Sequence, residues 1–383
     1  MAAGQSTGAG PDSRPRADLA VAVLLEQCLA PVPGGTGRYA AEVFRALAEN
    51  RPPGATVSGW TAWHADVGGA RVPGGPAPRR LLLPRRPLIA AWERGVGPAP
   101  RGAGLVHAPT PLFPPRRGRP LVVTVHDAVP WTHPETLTPR GVRWHRTMIE
   151  RAARVADAVV VPTEAVAEAL APHVAFRRPV VVVGEGVSAG LEPPADADRR
   201  AAALGLPEGD YLVTLATIEP RKGLDVLLDA LARRAAPEVP LLVVGQPGWG
   251  GIDVTQRASE LGLGDRVRLL GRLDDEDLGV TLARAAVLVA PSRAEGFGLP
   301  VLEAMAAGVP VVSSDAPALA EVGGGATVTV PVGDDAALAS ALADVLGSPS
   351  TRAQLAAAGR RRAADFSWSR TAAQLWELYA SLC

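Results

Sequence analysis

Short apolar runs alternate with amphipathic helical stretches along nearly all of this 383-residue chain, and that alternation limits the folds open to it. In the first half the runs fall at residues 19–25, 121–125, 158–161 and 180–183. In the second half they fall at 211–216, 241–244, 267–270, 286–290 and 309–313. Runs such as LLVV and VLVA are apolar at every position, the pattern of strands covered on both faces. Helical periodicity fills the intervals, clearest at 224–234, 255–261, 275–284 and 299–307. Alternating β and α predicts parallel, doubly wound sheets.

The length suits two such domains, each able to bury its own core. A polar stretch with two prolines, SAGLEPPADAD at 188–198, marks the expected linker, because a fresh βα series begins beyond it. The expected organisation is a loose tail at 1–17, a first domain at 18–188 and a second at 189–365. A closing helix follows at 366–383. Segments 73–87 and 98–120, rich in Pro and Gly, read as long loops.

Residues 1–17 have no apolar centre and do not read as a signal peptide. No uncharged apolar run approaches the roughly 20 residues of a membrane helix. The two cysteines, Cys28 and Cys383, form neither a disulfide framework nor a metal cage. Together these predict a cytoplasmic protein, free or peripheral at the inner face of the membrane.

The net charge of zero conceals a division. Residues 1–190 carry 22 Arg against 14 acids, and the remainder carries 17 Lys and Arg against 25 acids. A basic first half suits an acidic acceptor or an anionic bilayer, and equally a plain solvated surface. Nothing in the chain points to nucleic acid. Of 39 basic residues only one, Lys222, is lysine. A compact ammonium with three rotatable donors differs chemically from a planar guanidinium. In so arginine-rich a chain, the single lysine is a candidate for chemistry.

Residues 291–310, PSRAEGFGLPVLEAMAAGVP, carry the strongest local signal. A strand ends at Ala290, a Gly-rich turn follows, and a helix opens near Leu299. Glycine lets backbone N–H groups approach a ligand, and a helix N-terminus favours negative charge, so the turn reads as a diphosphate cradle. Glu303, one turn into the helix, can accept two hydrogen bonds from a ribose diol, and Glu295 can reach a sugar ring. The segment IEPRKG, 218–223, places Arg221 and Lys222 at the carboxyl end of another strand, where doubly wound sheets bind ligands. Two cations and a helix terminus can neutralise a departing diphosphate without a metal. Asp275-Glu276-Asp277 spells an acidic pattern used elsewhere for metals, but here it opens a helix and offsets its dipole, so no metal site is expected.

These segments resemble the signature of the retaining glycosyltransferases of family 4, which have the GT-B fold of two Rossmann-like domains facing across a cleft. EGFGLPVLEAMAAGVPVV resembles the family's donor site and IEPRKG its basic phosphate-binding motif. PGGTGRY at 33–39 resembles its N-terminal glycine loop. VTVHDAVPWTHPE at 123–135 resembles the segment whose histidine, here His126, contacts the transferred sugar. FSWSRTAAQLWELY at 366–379 resembles the closing helix. The match departs at Ala216, where many members carry a further arginine.

The resemblance implies transfer of a sugar from a nucleoside diphosphate to a hydroxyl acceptor with retention, needing no cofactor beyond the donor itself. His126, Arg221, Lys222 and Glu295 would be the catalytic set. Gly35, Thr36, Gly37, Asp275, Phe297, Gly298, Leu299 and Glu303 would bind the donor. Asp275 matches the loop that holds the base, and a carboxylate there suits guanine, hence a GDP-sugar such as a mannose donor. UDP- or dTDP-sugars, a nucleotide-sugar epimerase of the same architecture, and a nucleotide-binding module without turnover are the alternatives. The acceptor, whether glycan, lipid-linked or small molecule, is not readable.

Overall fold

A computed structural model describes residues 19–383; the expected tail at 1–17 lies outside the described residues. Two all-parallel sheets form the frame. The first contains β1 Ala20–Leu24, β2 Thr56–Trp63, β3 Arg79–Pro84, β4 Leu105–Ala108, β5 Leu121–Thr124, β6 Ala158–Val161 and β7 Val180–Val182, in the order β3-β2-β1-β4-β5-β6-β7. The second contains β8 Leu212–Leu215, β9 Leu241–Val244, β10 Val267–Gly271, β11 Val287–Ala290, β12 Val311–Ser314 and β13 Val328–Val330, in the order β10-β9-β8-β11-β12-β13. This is the α/β GT-B arrangement. In each sheet the strand order reverses beside the first strand, between β1 and β4 and between β8 and β11. Such switch points open a crevice at the strands' carboxyl ends.

Eight helices place the functional side chains or join the lobes: α1 Gly34–Glu49, α2 Arg85–Glu93, α3 Pro139–Val155, α4 Leu224–Ala232, α5 Asp275–Ala283, α6 Leu299–Ala307, α7 Pro349–Ala363 and α8 Trp368–Leu382. The central strands are sealed on both faces, as β5 and β9 show with every residue buried. At roughly 1.5–3 kcal/mol for each fully buried large apolar side chain, these strands and the helices over them account for most of the drive to fold.

Three strands of the first domain, β2, β3 and β4, lie outside the apolar runs. Residues 73–87, expected as loop, contain β3 and the start of α2, and 98–120 contain β4. Strand β3, RRLLLP, is an edge strand, and Arg and Pro are characteristic of edges. Strand β4 is only four residues and has a histidine at its centre. His107 is fully buried, with Tyr379 Oη 2.6 Å from Nδ1 and Thr124 Oγ1 2.9 Å from Nε2. Burial holds its pKa down to about 3, so the ring is neutral.

Helix α8 ties the lobes. Tyr379 and Leu375 are fully buried, α8 packs along α1, and Thr371 Oγ1 donates to the Gly184 carbonyl at 2.6 Å. Ser367 caps its start by accepting from the Arg370 N–H.

Candidate active site

The loops after β1, β8, β9, β10 and β11 converge on one cavity of about 630 Å³ between the lobes. From the second lobe come Arg221, Lys222, Asp275, Glu295, Phe297, Gly298, Leu299 and Glu303; from the first come Gly35, Thr36, Gly37 and His126. Every residue expected to be catalytic or donor-binding therefore lines the same space.

Arg221 and Lys222 occupy a single 3₁₀ turn, Pro220–Lys222, after β8. The following Gly223 has φ +65°, and a Cβ there would stand 2.1 Å from the Pro291 carbonyl oxygen. Only glycine lets this turn close against the loop that carries Glu295. Arg293 N–H donates to the Arg221 carbonyl at 2.8 Å and completes the seam.

The two cations are not free charges. Lys222 Nζ donates to Glu295 Oε1 at 2.6 Å, and Arg221 Nη1 donates to Glu295 Oε2 at 3.0 Å. Arg221 also bonds the Ala294 carbonyl and Glu219, which commits three of its five N–H donors. Lys222 spends one donor of three. Burial alone would push the Glu295 carboxyl up, but Lys222 and Arg221 overwhelm it and hold the pKa at about 2. Glu295, expected to reach a sugar ring, is in this structure the carboxylate that orients both cations. Arg221 braces the turn and Lys222 keeps two donors for a ligand.

Helix α6 begins behind Gly298, which has φ +99°. Pro300 has no N–H, and the Val301 and Leu302 N–H groups donate to the Gly298 carbonyl. The N–H groups left for a ligand at this end are therefore those of Gly298 and Leu299, both of which line the cavity. Glu303, 4% exposed, accepts from Ser188 Oγ at 3.0 Å and meets Arg38 Nη1 at 3.4 Å. Burial pushes its carboxyl up while Arg38 opposes the shift. Arg38 Nη2 also donates to Asp275 Oδ1 at 2.7 Å. One guanidinium from α1 thus crosses the cleft and holds together the two carboxylates that the sequence assigns to ribose and base. Glu276 and Asp277 pair instead with Arg200.

The first lobe differs from expectation in detail. PGGTGRY is not an open loop: α1 starts at Gly34, so Gly35, Thr36 and Gly37 form its first turn. A Cβ on Gly37 would lie 2.5 Å from Pro33 Cβ, which explains the glycine. His126 follows β5 and is edge-on to Tyr39 at 4.6 Å. Its Nε2 lies 2.7 Å from the Pro109 carbonyl oxygen, which can only accept, so that nitrogen carries hydrogen. The His126 carbonyl abuts Gly296 of the other lobe, where a Cβ would stand 1.8 Å from it. His133, the other histidine of that segment, has its ring Nδ1 3.0 Å from Thr132 Oγ1 and does not line this cavity.

Beside this space lies a chamber of about 550 Å³ in the first lobe. Arg85, Ile89 and Glu93 of α2 form one wall, and Arg140, Trp144 and Ile149 of α3 face them. Thr36, His126, Asp127 and Arg221 line both spaces, so the two adjoin.

Sequence reasoning missed Arg38, Glu185 and Ser188. Arg38 lies inside the quoted GTGRY, but in a chain with 38 arginines nothing set it apart. Glu185 had a usable signal: a lone acid in VVVGEGVS, directly after an apolar strand.

Two switch-point crevices facing each other, with a basic turn and a helix N-terminus in one of them, define a two-lobed GT-B protein. The family model for glycosyl transferases group 1 matches residues 196–362, and that for glycosyltransferase family 4 matches 33–190. The chain belongs to the family 4 glycosyltransferases. It is 35% identical over 220 residues to a D-inositol 3-phosphate glycosyltransferase of Salinispora arenicola, covering 52% of this chain and 49% of that one. It is 33% identical over 281 residues to an MMP alpha-(1->4)-mannosyltransferase of Mycolicibacterium hassiacum, covering 69% and 66%. The chain spans about half the length of the inositol phosphate relatives it matches. Sucrose-phosphate synthase of Thermosynechococcus elongatus superposes with a TM-score of 0.74 at 25% identity, covering 95% of this chain and 99% of that one. HepE of Anabaena, solved with UDP and glucose, superposes with a TM-score of 0.74 at 22% identity, covering 95% and 100%.

Proposed function

We propose that this protein transfers a glycosyl group from a nucleoside diphosphate sugar to a hydroxyl acceptor, with retention of configuration and without a bound metal or other cofactor. One observation carries the reading: Lys222, Gly298 and Leu299 at the start of α6, and Glu303 all line one cavity between the lobes. Their chemistry matches a diphosphate and a ribose diol. Lys222, with Arg221 behind it, stabilises the negative charge that develops as the diphosphate leaves. Glu303 exchanges Arg38 and Ser188 for the ribose hydroxyls. His126 and Phe297 wall the sugar end, and Gly35, Thr36 and Gly37 approach the phosphates from the first lobe.

The base is assigned to the Asp275 end, and a carboxylate there favours guanine. Mannose from a GDP-sugar is therefore the first donor to test, in keeping with the mannosyltransferase relative. A UDP-sugar is the second reading, supported by the fold's likeness to HepE, which was solved in complex with UDP-glucose. The acceptor is assigned to the chamber between α2 and α3.

Peripheral contact with the inner face of a membrane is proposed through the edge of the first sheet. There Leu82 is 75% and Trp63 52% exposed, beside Arg79, Arg80 and Arg86. Among the described residues no helix is long and apolar enough to cross a bilayer.

The test is a binding and turnover screen of GDP-, UDP- and dTDP-sugars against the purified protein, with and without EDTA. One base should bind in preference to the others, and turnover should survive the chelator. Binding of none would overturn the reading. Conversion of a sugar nucleotide without any acceptor would make the protein an epimerase, and binding without turnover a nucleotide-binding module.

A further inference from the structure

Glu185 is a carboxylate that the fold leaves incomplete. It is 4% exposed and lines the donor cavity. It also lines a smaller space of about 260 Å³ behind Phe297. Its carboxylate has no hydrogen-bond partner among the described residues. Its one nearby basic group, His126, has Nδ1 3.8 Å from Oε1, within ion-pair range but too far for a hydrogen bond. Burial pushes its carboxyl above the usual range, with His126 opposing and Glu295 adding to the shift.

A carboxylate so largely buried, reached only from a cavity and hydrogen-bonded by none of the described residues, calls for an explanation. Backbone packing does not supply one. The residues on either side are fully used: the Gly184 carbonyl accepts from Thr371 Oγ1 at 2.6 Å, and Gly186 is so close to α8 that a Cβ would lie 2.2 Å from the Trp368 nitrogen. Helix α8 therefore pins the backbone at 184–186 and fixes where the Glu185 side chain begins. What the side chain meets is the space shared with His126, Glu295 and Phe297, the wall assigned to the transferred sugar.

We propose that Glu185 is a specificity-determining contact of the donor sugar, its carboxyl group hydrogen-bonded to a ring hydroxyl of the transferred hexose. The inference rests on the nucleotide-sugar reading. A carboxyl group suits a hydroxyl in either protonation state, accepting as the anion and donating as the acid. A site built to bond a hydroxyl discriminates strongly against the analogue lacking it, because the protein group is then left unpaired. The side chain that lacks a partner in the unliganded protein would thus be the one that selects a hydroxylated sugar over its deoxy counterpart.

The experiment compares wild type with Glu185→Gln and Glu185→Ala, titrating each with the free nucleoside diphosphate and the sugar nucleotide that wild type prefers. Glu185→Ala should weaken the sugar nucleotide at least tenfold while the free nucleotide stays within twofold. The thermal midpoint should stay level or rise, and selection against the deoxy-sugar donor should be lost. If Glu185→Ala does not fold, Glu185→Gln, of equal size, carries the same comparison. Equal loss for nucleotide and sugar nucleotide, or no loss for either, would overturn the role of Glu185. A wild-type protein that binds no sugar nucleotide at all would overturn the underlying functional reading as well.

Discussion

The two lobes share a topology but present their chemistry differently. In the second, the functional side chains come from contiguous segments, IEPRKG and EGFGLPVLEA, locked to each other before any ligand arrives. Glu295 alone accepts from Lys222, Arg221 and Ser292. In the first, they are scattered over α1, the β5 loop, α2 and α3, and few are ion-paired across elements. The difference follows from the ligands proposed for each. A diphosphate and a ribose are constant, so the second lobe can be preorganised around them. The acceptor proposed for the chamber between α2 and α3 has no such fixed core, and the lining there comes from several separate elements.

The sharpest way to break that comparison is to remove the lone lysine. Lys222→Ala should lower turnover by about 10²–10³-fold, the cost typical of losing one preorganised donor to developing charge. Neutralising Arg79 and Arg80 of β3 together should leave nucleotide affinity unchanged. Steady-state kinetics on both variants would show it, and a lysine variant of near wild-type rate would refute the asymmetry. A smaller effect belongs to Glu303→Gln. Donor KM should rise about 10-fold, or about 1.4 kcal/mol, as a ribose bond weakens. The rate at saturation should change less, because the ribose takes no part in bond breaking.

The scale of stability comes next. Tyr379→Phe removes the hydroxyl by which α8 meets His107 of β4 and should cost about 1–3 kcal/mol, read by chemical denaturation, with little change in turnover. Acid sensitivity tests the Glu295 cluster. The carboxyl is held at about 2 against an ordinary 4.5, so its stabilisation is complete above pH 4.5 and disappears as pH falls toward 2. Lys222→Ala weakens that hold and should move the acid unfolding midpoint upward; an unmoved midpoint would show that Arg221 alone suffices. The smallest effect is expected at the sheet edge proposed to meet a membrane. Leu82→Ser should change stability by less than about 0.5 kcal/mol while reducing binding to anionic vesicles, measured by co-sedimentation.

The same contrast explains what could be read from the sequence. Strands β6 and β9 were legible to the residue, because both faces are buried and the run is wholly apolar. Strand β3 was not, because an edge strand with Arg at its start looks like a loop. The donor cavity was legible because glycine, helix start and cation lie within short segments whose spacing carries the physics. Arg38 was hidden for the opposite reason. Its contacts with Asp275 and Glu303 span more than 230 residues and are made only when the lobes face each other. The pairing of Glu295 with Lys222 was equally invisible, since a motif states which residues are present and not which already hold one another. Glu185 could have been noticed as a lone acid after an apolar strand, but the fixing of its backbone by α8 lies outside any local window.

Calorimetric titration of GDP and of UDP into wild type and Lys222→Ala tests the central claim most directly. The account predicts one-to-one binding of at least one nucleotide to wild type and at least a tenfold loss, about 1.4 kcal/mol, in the variant. Equal affinity in the two proteins, or no binding to wild type, would contradict it.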